Sequence, residues 1–304
     1  MYIVDFGVYI PQQRKQVSEI NEINNFSLDF MNNKLGFNGL SRKRNNETIE
    51  DMCLKAFVNL NSKISIDVMN IDIIVVVTQS ANYNIPHIAA KIHNNLSIKE
   101  SCMTFDISQG CAGYTYALNI VQSIISNNNY NTGLIFTCDP YSDVIDSYDK
   151  NVNMIFGDAA TVTYVDSKEG KMQVIDSNFG IANNSNDCLK IEDGYLRMNG
   201  QKVFNYALKN VPKSIDELLK NNQISNDNID RYVFHQGTKY MVRAVANKMN
   251  IRERELFCAE SYGNTISSSI PIQLSQKKFN RNKHILLSGF GVGFSWGNTI
   301  IKII

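Results

Sequence analysis

Three residues in this chain are of types that could work together as a nucleophile and its helpers: Cys111, His235 and Asn264. Cys111 stands in Thr104-Phe105-Asp106-Ile107-Ser108-Gln109-Gly110-Cys111-Ala112-Gly113-Tyr114, where a strand breaks at a glycine and a helix opens at the cysteine. Apolar positions at Ala117, Ile120, Val121, Ile124 and Ile125 fall at helical spacing, which puts Cys111 near the first residue of that helix. Free N–H groups and the positive end of the helix dipole there favour thiolate over thiol, so a lowered pKa is expected. Taken alone, Cys111 reads equally well as a small buried hydrophobe. His235 follows the apolar run Tyr232-Val233-Phe234 directly, and so sits at the carboxyl end of a strand, where open α/β sheets bind ligands. Asn264 occupies a comparable turn before the helix that carries Ser267 to Leu274. Alone, the histidine reads as structural and the asparagine as a turn residue.

The elements that must position these residues repeat. Asn70-Ile71-Asp72 leads into the strand Ile73 to Val77, a polar turn at Thr78 to Asn84, and a helix ending near Asn94-Asn95-Leu96-Ser97-Ile98. Asn228-Ile229-Asp230 leads into Tyr232-Val233-Phe234, a turn at His235-Gln236-Gly237-Thr238, and a helix ending near Lys248-Met249-Asn250-Ile251. Helices opening at Cys111 and at Gly263-Asn264-Thr265 correspond, as do the strands Leu134-Ile135-Phe136-Thr137 and Ile285-Leu286-Leu287-Ser288. Continuous apolar strands alternating with helices imply α/β layers covered on both faces. The reading is therefore two similar halves, 1–165 carrying the cysteine and 166–304 carrying the histidine and asparagine.

Composition removes several classes. Lys plus Arg number 30 against 29 Asp plus Glu, which leaves no global basic field for nucleic acid. The beginning Met1-Tyr2-Ile3-Val4-Asp5 lacks a signal-peptide pattern, and no apolar run is long enough to span a membrane, so a cytoplasmic protein is expected. Six cysteines, with no C-x-x-C pair, suggest neither zinc nor a disulfide framework. The run Ser288-Gly289-Phe290-Gly291-Val292-Gly293-Phe294-Ser295-Trp296-Gly297 precedes a strand rather than a helix, so it is no dinucleotide fingerprint. Its glycines suit a hairpin that brings backbone N–H groups close to a reacting oxygen.

In order and content, GCAGYTYAL at 110–118, FGDAA at 156–160, HQ at 235–236, YGNTISSSIP at 262–271 and GFGVGFSWG at 289–297 resemble the 3-oxoacyl-[acyl carrier protein] synthase III family of the thiolase superfamily. The resemblance runs from the first strand to the last residue. It implies the five-layered αβαβα thiolase fold and a homodimer. It implies that Cys111 takes an acyl group from acyl-CoA as a thioester, without a resident cofactor or metal. His235 and Asn264 would then stabilise the enolate formed when a malonyl-thioester loses carbon dioxide. The backbone N–H groups of Cys111 and Val292 would form the oxyanion hole, Phe290 would shape the pocket, and Ile85 would reach it at the dimer interface. The related chain-elongating synthases use two histidines. The hydroxymethylglutaryl-CoA synthase branch carries a glutamate where this chain has Gln79, and a neutral amide cannot do that proton transfer.

The chain departs from the family pattern at its rim. His235-Gln236-Gly237-Thr238 replaces HQAN, which leaves the pantetheine contact to Thr238. Val292 stands where glycine is usual. Lys34 and Lys150 replace arginines at the CoA mouth, keeping charge but losing bidentate geometry, and Phe30 replaces a tryptophan that stacks on adenine. Lys209, Lys239, Arg243 and Lys248 are the candidate carrier-protein contacts. Ser108-Gln109-Gly110 before the nucleophile, and the short linkers, resemble a secondary-pathway member, with acyl transfer to a hydroxyl or amine of a small acceptor such as a sugar as the alternative reaction. A non-catalytic scaffold or subunit is a further alternative.

Overall fold

A computed structural model describes residues 1–81 and 85–304, so the turn read from Thr78 to Asn84 extends partly outside the described residues. In chain order the first half runs β1 (Tyr2–Tyr9), β2 (Arg14–Gln16), α1 (Val17–Asn24), β3 (Gly39–Ser41), α2 (Ile49–Asn61), β4 (Ile73–Val77), α3 (Ile88–Leu96), β5 (Met103–Ile107), α4 (Gly113–Asn128), β6 (Thr132–Cys138) and β7 (Ala160–Asp166). The second half runs β8 (Met172–Ile181), β9 (Leu189–Glu192), β10 (Tyr195–Met198), α5 (Gly200–Asn221), β11 (Ile229–Phe234), α6 (Lys239–Lys248), α7 (Ser269–Gln276), β12 (His284–Gly291) and β13 (Ser295–Ile303).

Nine strands form one sheet in the order β11-β12-β13-β8-β1-β7-β6-β4-β5. The duplication is written into that order. In one half β1 pairs antiparallel with β7, β7 antiparallel with β6, and β6 parallel with β4; in the other, β8, β13, β12 and β11 repeat those senses. A short bridge from Tyr232 to Glu255 stands where β5 stands in the first half. The halves join where Tyr2 and Ile3 of β1 pair with Gln173 and Met172 of β8.

Strand periodicity explains the layers. Ile73, Val75 and Val77 of β4 face the central core, whereas Ile74 and Val76 face α2 and α3. The central core also takes Tyr114, Ala117, Leu118 and Val121 of α4, Ile270 and Leu274 of α7, and Ile285 and Leu287 of β12. Leu286 of β12 and Phe234 of β11 point the other way, onto α5 and α6. The sequence of layers is therefore α2/α3, half-sheet, α4/α7, half-sheet, α5/α6, the five-layered arrangement expected. Among the described residues no helix is long and apolar enough to cross a membrane.

Candidate active site

Helix α4 begins at Gly113, two residues later than expected, so Cys111 lies in the turn just before it. The glycines of the hairpin between β12 and β13 close on that turn. A Cβ at Gly291 would stand 2.6 Å from Cys111 Sγ, and one at Gly289 would stand 2.4 Å from the Cys111 carbonyl oxygen. The hairpin thus approaches the cysteine itself, a contact that only glycine permits. Val292 has no positive φ, so valine costs that backbone no left-handed strain.

Asn264 is held by the FGDAA segment. Its N–H donates to the Ile155 carbonyl at 2.9 Å, and its carbonyl accepts from the Gly157 N–H at 2.9 Å. A Cβ at Gly157 would collide with the Tyr262 carbonyl at 1.8 Å, which explains that glycine. Asn264 Oδ1 accepts from the Ile266 N–H at 3.0 Å, leaving the Nδ2 donors of the side chain for other partners. His235 directly follows β11, its ring edge-on to Phe290 at 5.9 Å, with Nδ1 2.8 Å from Ser269 Oγ at the start of α7. Gln236 is structural: its Nε2 donates to the carbonyls of Phe234 and Leu256, and its Oε1 accepts from the Cys258 N–H.

Cys111, His235 and Asn264 meet in one cavity of about 290 Å³ and are 5%, 3% and 4% exposed. Phe290, Gly291 and Thr238 line it with them, and most of the remaining wall is apolar. Phe204 of α5 and Tyr240 of α6 also line it, with their rings stacked 5.1 Å apart.

Electrostatics correct one expectation. Burial pushes the Cys111 thiol up to about 12, and the nearby Asp139 carboxyl adds to the shift. The backbone N–H groups of Val292 and of Cys111 itself oppose it. Desolvation of the thiolate outweighs the helix end, so the resting thiol is neutral. Burial pushes His235 down to about 3, against a smaller opposing contact from the Ile266 backbone, and the imidazole is neutral too. The two residues form no hydrogen bond that would make them a thiolate–imidazolium pair among the described contacts.

The rim residues are less concentrated than expected. Phe30 and Lys34 lie on a π-helical turn, Phe30–Leu35, that packs on the start of α6; Phe30 stacks on Phe26 at 4.3 Å, and Lys34 is exposed. Lys239 Nζ reaches the Asn32 carbonyl at 3.5 Å, and Arg243 is exposed one turn further on. Lys150 is exposed, with Nζ 3.4 Å from the Asn24 carbonyl. None of these lines the cavity. Lys209 and Lys248 line a different groove with Asp216 and Glu217; Lys248 stands nine positions beyond Lys239 along α6, a rise of roughly 13 Å. Ile85 is 91% exposed and does not line its own chain's cavity; its expected place is at a dimer interface with a second copy.

Sequence reading missed the walls contributed by Leu189, Met198, Val203 and Met241. Asp193-Gly194 between two short strands was an available hairpin signal for the first two.

Comparison with known proteins shows the family. The model "3-Oxoacyl-[acyl-carrier-protein (ACP)] synthase III" matches residues 105–182, and its C-terminal counterpart matches residues 219–303. A beta-ketoacyl-[acyl-carrier-protein] synthase III of Streptococcus sanguinis is 30% identical over 97% of each chain. This chain belongs to the 3-oxoacyl-[acyl-carrier-protein] synthase III family. A relative of the same name from Acholeplasma laidlawii is 30% identical over 99% of this chain and 98% of its own. The crystal structure of the synthase III of Aquifex aeolicus superposes with a TM-score of 0.92 at 25% identity, covering 99% of each chain. Within this family the fold is the thiolase fold read from the sequence, and the chain is an acyltransferase of the condensing type.

Proposed function

We propose that this chain condenses an acyl group from acyl-CoA with a malonyl-thioester, as a cytoplasmic homodimer that draws malonyl units from an acyl carrier protein. The observation that carries the reading is the convergence of Cys111, His235 and Asn264 on one apolar cavity beside a glycine hairpin.

In the first step Cys111 Sγ attacks the acyl-CoA carbonyl. The N–H groups of Cys111 and Val292, already directed at the sulfur, receive the oxyanion. The bond to the CoA sulfur breaks, CoA leaves as the thiol with the Cys111 proton, and the acyl group remains as a thioester. In the second step the malonyl-thioester loses its carboxylate as carbon dioxide. The resulting enolate oxygen accepts hydrogen bonds from His235 Nε2 and Asn264 Nδ2. Its carbon attacks the acyl thioester, a carbon–carbon bond forms, and Cys111 departs as the thiolate and takes up a proton from solvent. The acyl-CoA thioester supplies the leaving group, and no resident cofactor is required.

The neutral imidazole favours this reaction over transfer to a hydroxyl or amine. A histidine pushed down to about 3 is too weak a base to activate an alcohol, yet it remains a good hydrogen-bond donor. An apolar cavity also suits a pantetheine arm better than a sugar. Lys239 and Arg243 near the mouth are the basic contacts we assign to the carrier. Strand β5 pairs with β4 on one side only, which offers its other edge to a second copy.

Incubation with acetyl-CoA and then malonyl-carrier protein tests the reading. Carbon dioxide release that disappears in Cys111→Ala is expected. An acyl adduct on Cys111 with no release from any malonyl donor would overturn condensation in favour of another acceptor. No adduct and no preferential alkylation of Cys111 would point to a non-catalytic scaffold.

A further inference from the structure

In the reaction proposed above, two backbone donors must point at one oxygen, and they come from different halves of the chain. The Cys111 N–H belongs to the turn before α4, and the Val292 N–H to the hairpin between β12 and β13. Apart from the Val292 N–H itself, which is directed at the Cys111 sulfur, one side-chain hydrogen bond joins those two segments among the described residues. Gln109 Nε2 donates to Ser295 Oγ at 2.7 Å. Ser295 Oγ donates in turn to the Val292 carbonyl at 3.0 Å, and the same carbonyl accepts from the Ser295 N–H. A hydroxyl has a single hydrogen, and this one is committed to Val292, so the Gln109 amide must be the donor.

The two segments also touch through Val292 and Gly110. A Cβ at Gly110 would stand 3.3 Å from Val292 Cγ2, so the valine side chain lies against the bare glycine. The far side of the hairpin turn is held from its own half. Ser185 Oγ lies 2.6 Å from the Gly293 carbonyl oxygen, and the Ala182 N–H donates to the Phe294 carbonyl at 2.9 Å. Packing of Gly289 and Gly291 on Cys111 sets how near the hairpin comes. The bond from Gln109 adds direction, because hydrogen bonds weaken steeply when bent.

We propose that Gln109 and Ser295 are positioning residues for the oxyanion hole, a clasp between the two halves that holds the Val292 N–H on the same point as the Cys111 N–H. This rests on the reading of Cys111 as the acyl-carrying residue. Neither side chain lines the cavity, so loss of the clasp acts on rate and leaves acyl-CoA binding alone. A donor moved by about an ångström costs up to roughly a hundredfold in rate. Acylation and condensation both pass through an oxyanion at this carbonyl, so both slow together.

The test compares wild type, Gln109→Ala, Ser295→Ala, Ser295→Thr and the double alanine variant. The readout is the rate of acetyl adduct formation on Cys111, by intact-protein mass, over a range of acetyl-CoA concentrations. Each single alanine variant should lower the maximal rate about tenfold, less than direct loss of a donor, with the half-saturating concentration unchanged. Ser295→Thr keeps the hydroxyl and should stay near wild type. The double variant should be no slower than the single ones, because both residues act through one bond; independent effects would multiply to about a hundredfold. Formation of 3-oxoacyl product from preacylated protein should slow by a similar factor. Gln109 is half-buried, and Gln109→Ala carries the test by itself if Ser295→Ala fails to fold. A wild-type maximal rate in Gln109→Ala would overturn the proposal. So would multiplied losses in a folded double variant, or a change confined to the half-saturating concentration. Absence of an adduct on wild type from every acyl-CoA would instead remove the acyl-enzyme reading itself.

Discussion

Ser269 Oγ stands 2.8 Å from Nδ1 of His235, at the first turn of α7, and both groups are buried. A hydroxyl donating to Nδ1 places the single imidazole proton on Nε2, the tautomer that can donate to an enolate oxygen. Because burial holds His235 neutral, only one ring nitrogen carries a proton, and its partner decides which.

Ser269→Ala should therefore slow condensation on the order of tenfold, less than direct loss of an oxyanion donor. Ser269→Thr should recover much of the rate, since it restores the hydroxyl. Acylation of Cys111 should be unaffected in both. Separate rates for acyl-adduct formation and carbon dioxide release distinguish this from a general loss of structure.

Replacing His235 or Asn264 by alanine removes a direct donor. Each should lower malonyl decarboxylation about a hundredfold or more while acyl-CoA still labels Cys111. A variant that loses both steps equally would place the residue in the first half-reaction instead. Single-turnover measurements on the acylated protein separate the outcomes.

Cys111 should alkylate faster as pH rises. The thiolate is the reacting form, and burial pushes the thiol up to about 12. In the absence of substrate, the iodoacetamide rate should climb about tenfold per pH unit from pH 7 to 9, with no plateau. A plateau near pH 7 would mean that the helix end governs the thiol after all.

Gly291→Ala should abolish acylation. The new Cβ would lie 2.6 Å from Cys111 Sγ, inside contact distance, and would displace the sulfur or the hairpin bearing Val292. The substitution is confined to the site, so thermal unfolding should move much less than activity. Mass labelling together with a melting curve reads both.

Stability should fall in acid through His235. Its folded value of about 3 lies below the ordinary value of 6.5, so below pH 6.5 the unfolded chain takes up a proton that the folded chain refuses. The group costs about 1.4 kcal/mol per pH unit between 6.5 and 3, with nothing lost above that window. Asp139, raised to about 6 by burial, works in the opposite sense between 6 and its ordinary 3.8. Denaturant unfolding of wild type and His235→Gln at pH 7, 6 and 5 should give a flatter acid slope in the variant.

Much of the site was legible as local pattern. Cys111, His235 and Asn264 each follow or precede a recognisable strand or helix, and the hairpin at 289–297 has glycines at the spacing that its close approach requires. The duplicated grammar of residues 70–98 and 228–251 corresponds to strands that occupy equivalent places in the sheet, β4 and β11. The rim was less legible. Lys209 and Lys248, read as carrier-protein contacts, line a groove apart from the cavity, and the neighbours of a surface lysine are set by how its helix packs, which spacing along the chain does not give.

By itself, the sequence determined the residue types, their order, and the alternation of apolar strands and helices that gives α/β layers, because periodicity and turn chemistry act over a few neighbours. Tertiary structure decided the rest. The protonation of Cys111 and His235 depends on how much water the whole fold removes, and burial reversed the sign that the helix end alone suggested for the thiol. The cavity walls come from β9, β10, α5 and α6, and Gln109 meets Ser295 across 186 residues of chain. Desolvation and packing are properties of everything within contact distance, and sequence spacing does not specify that set.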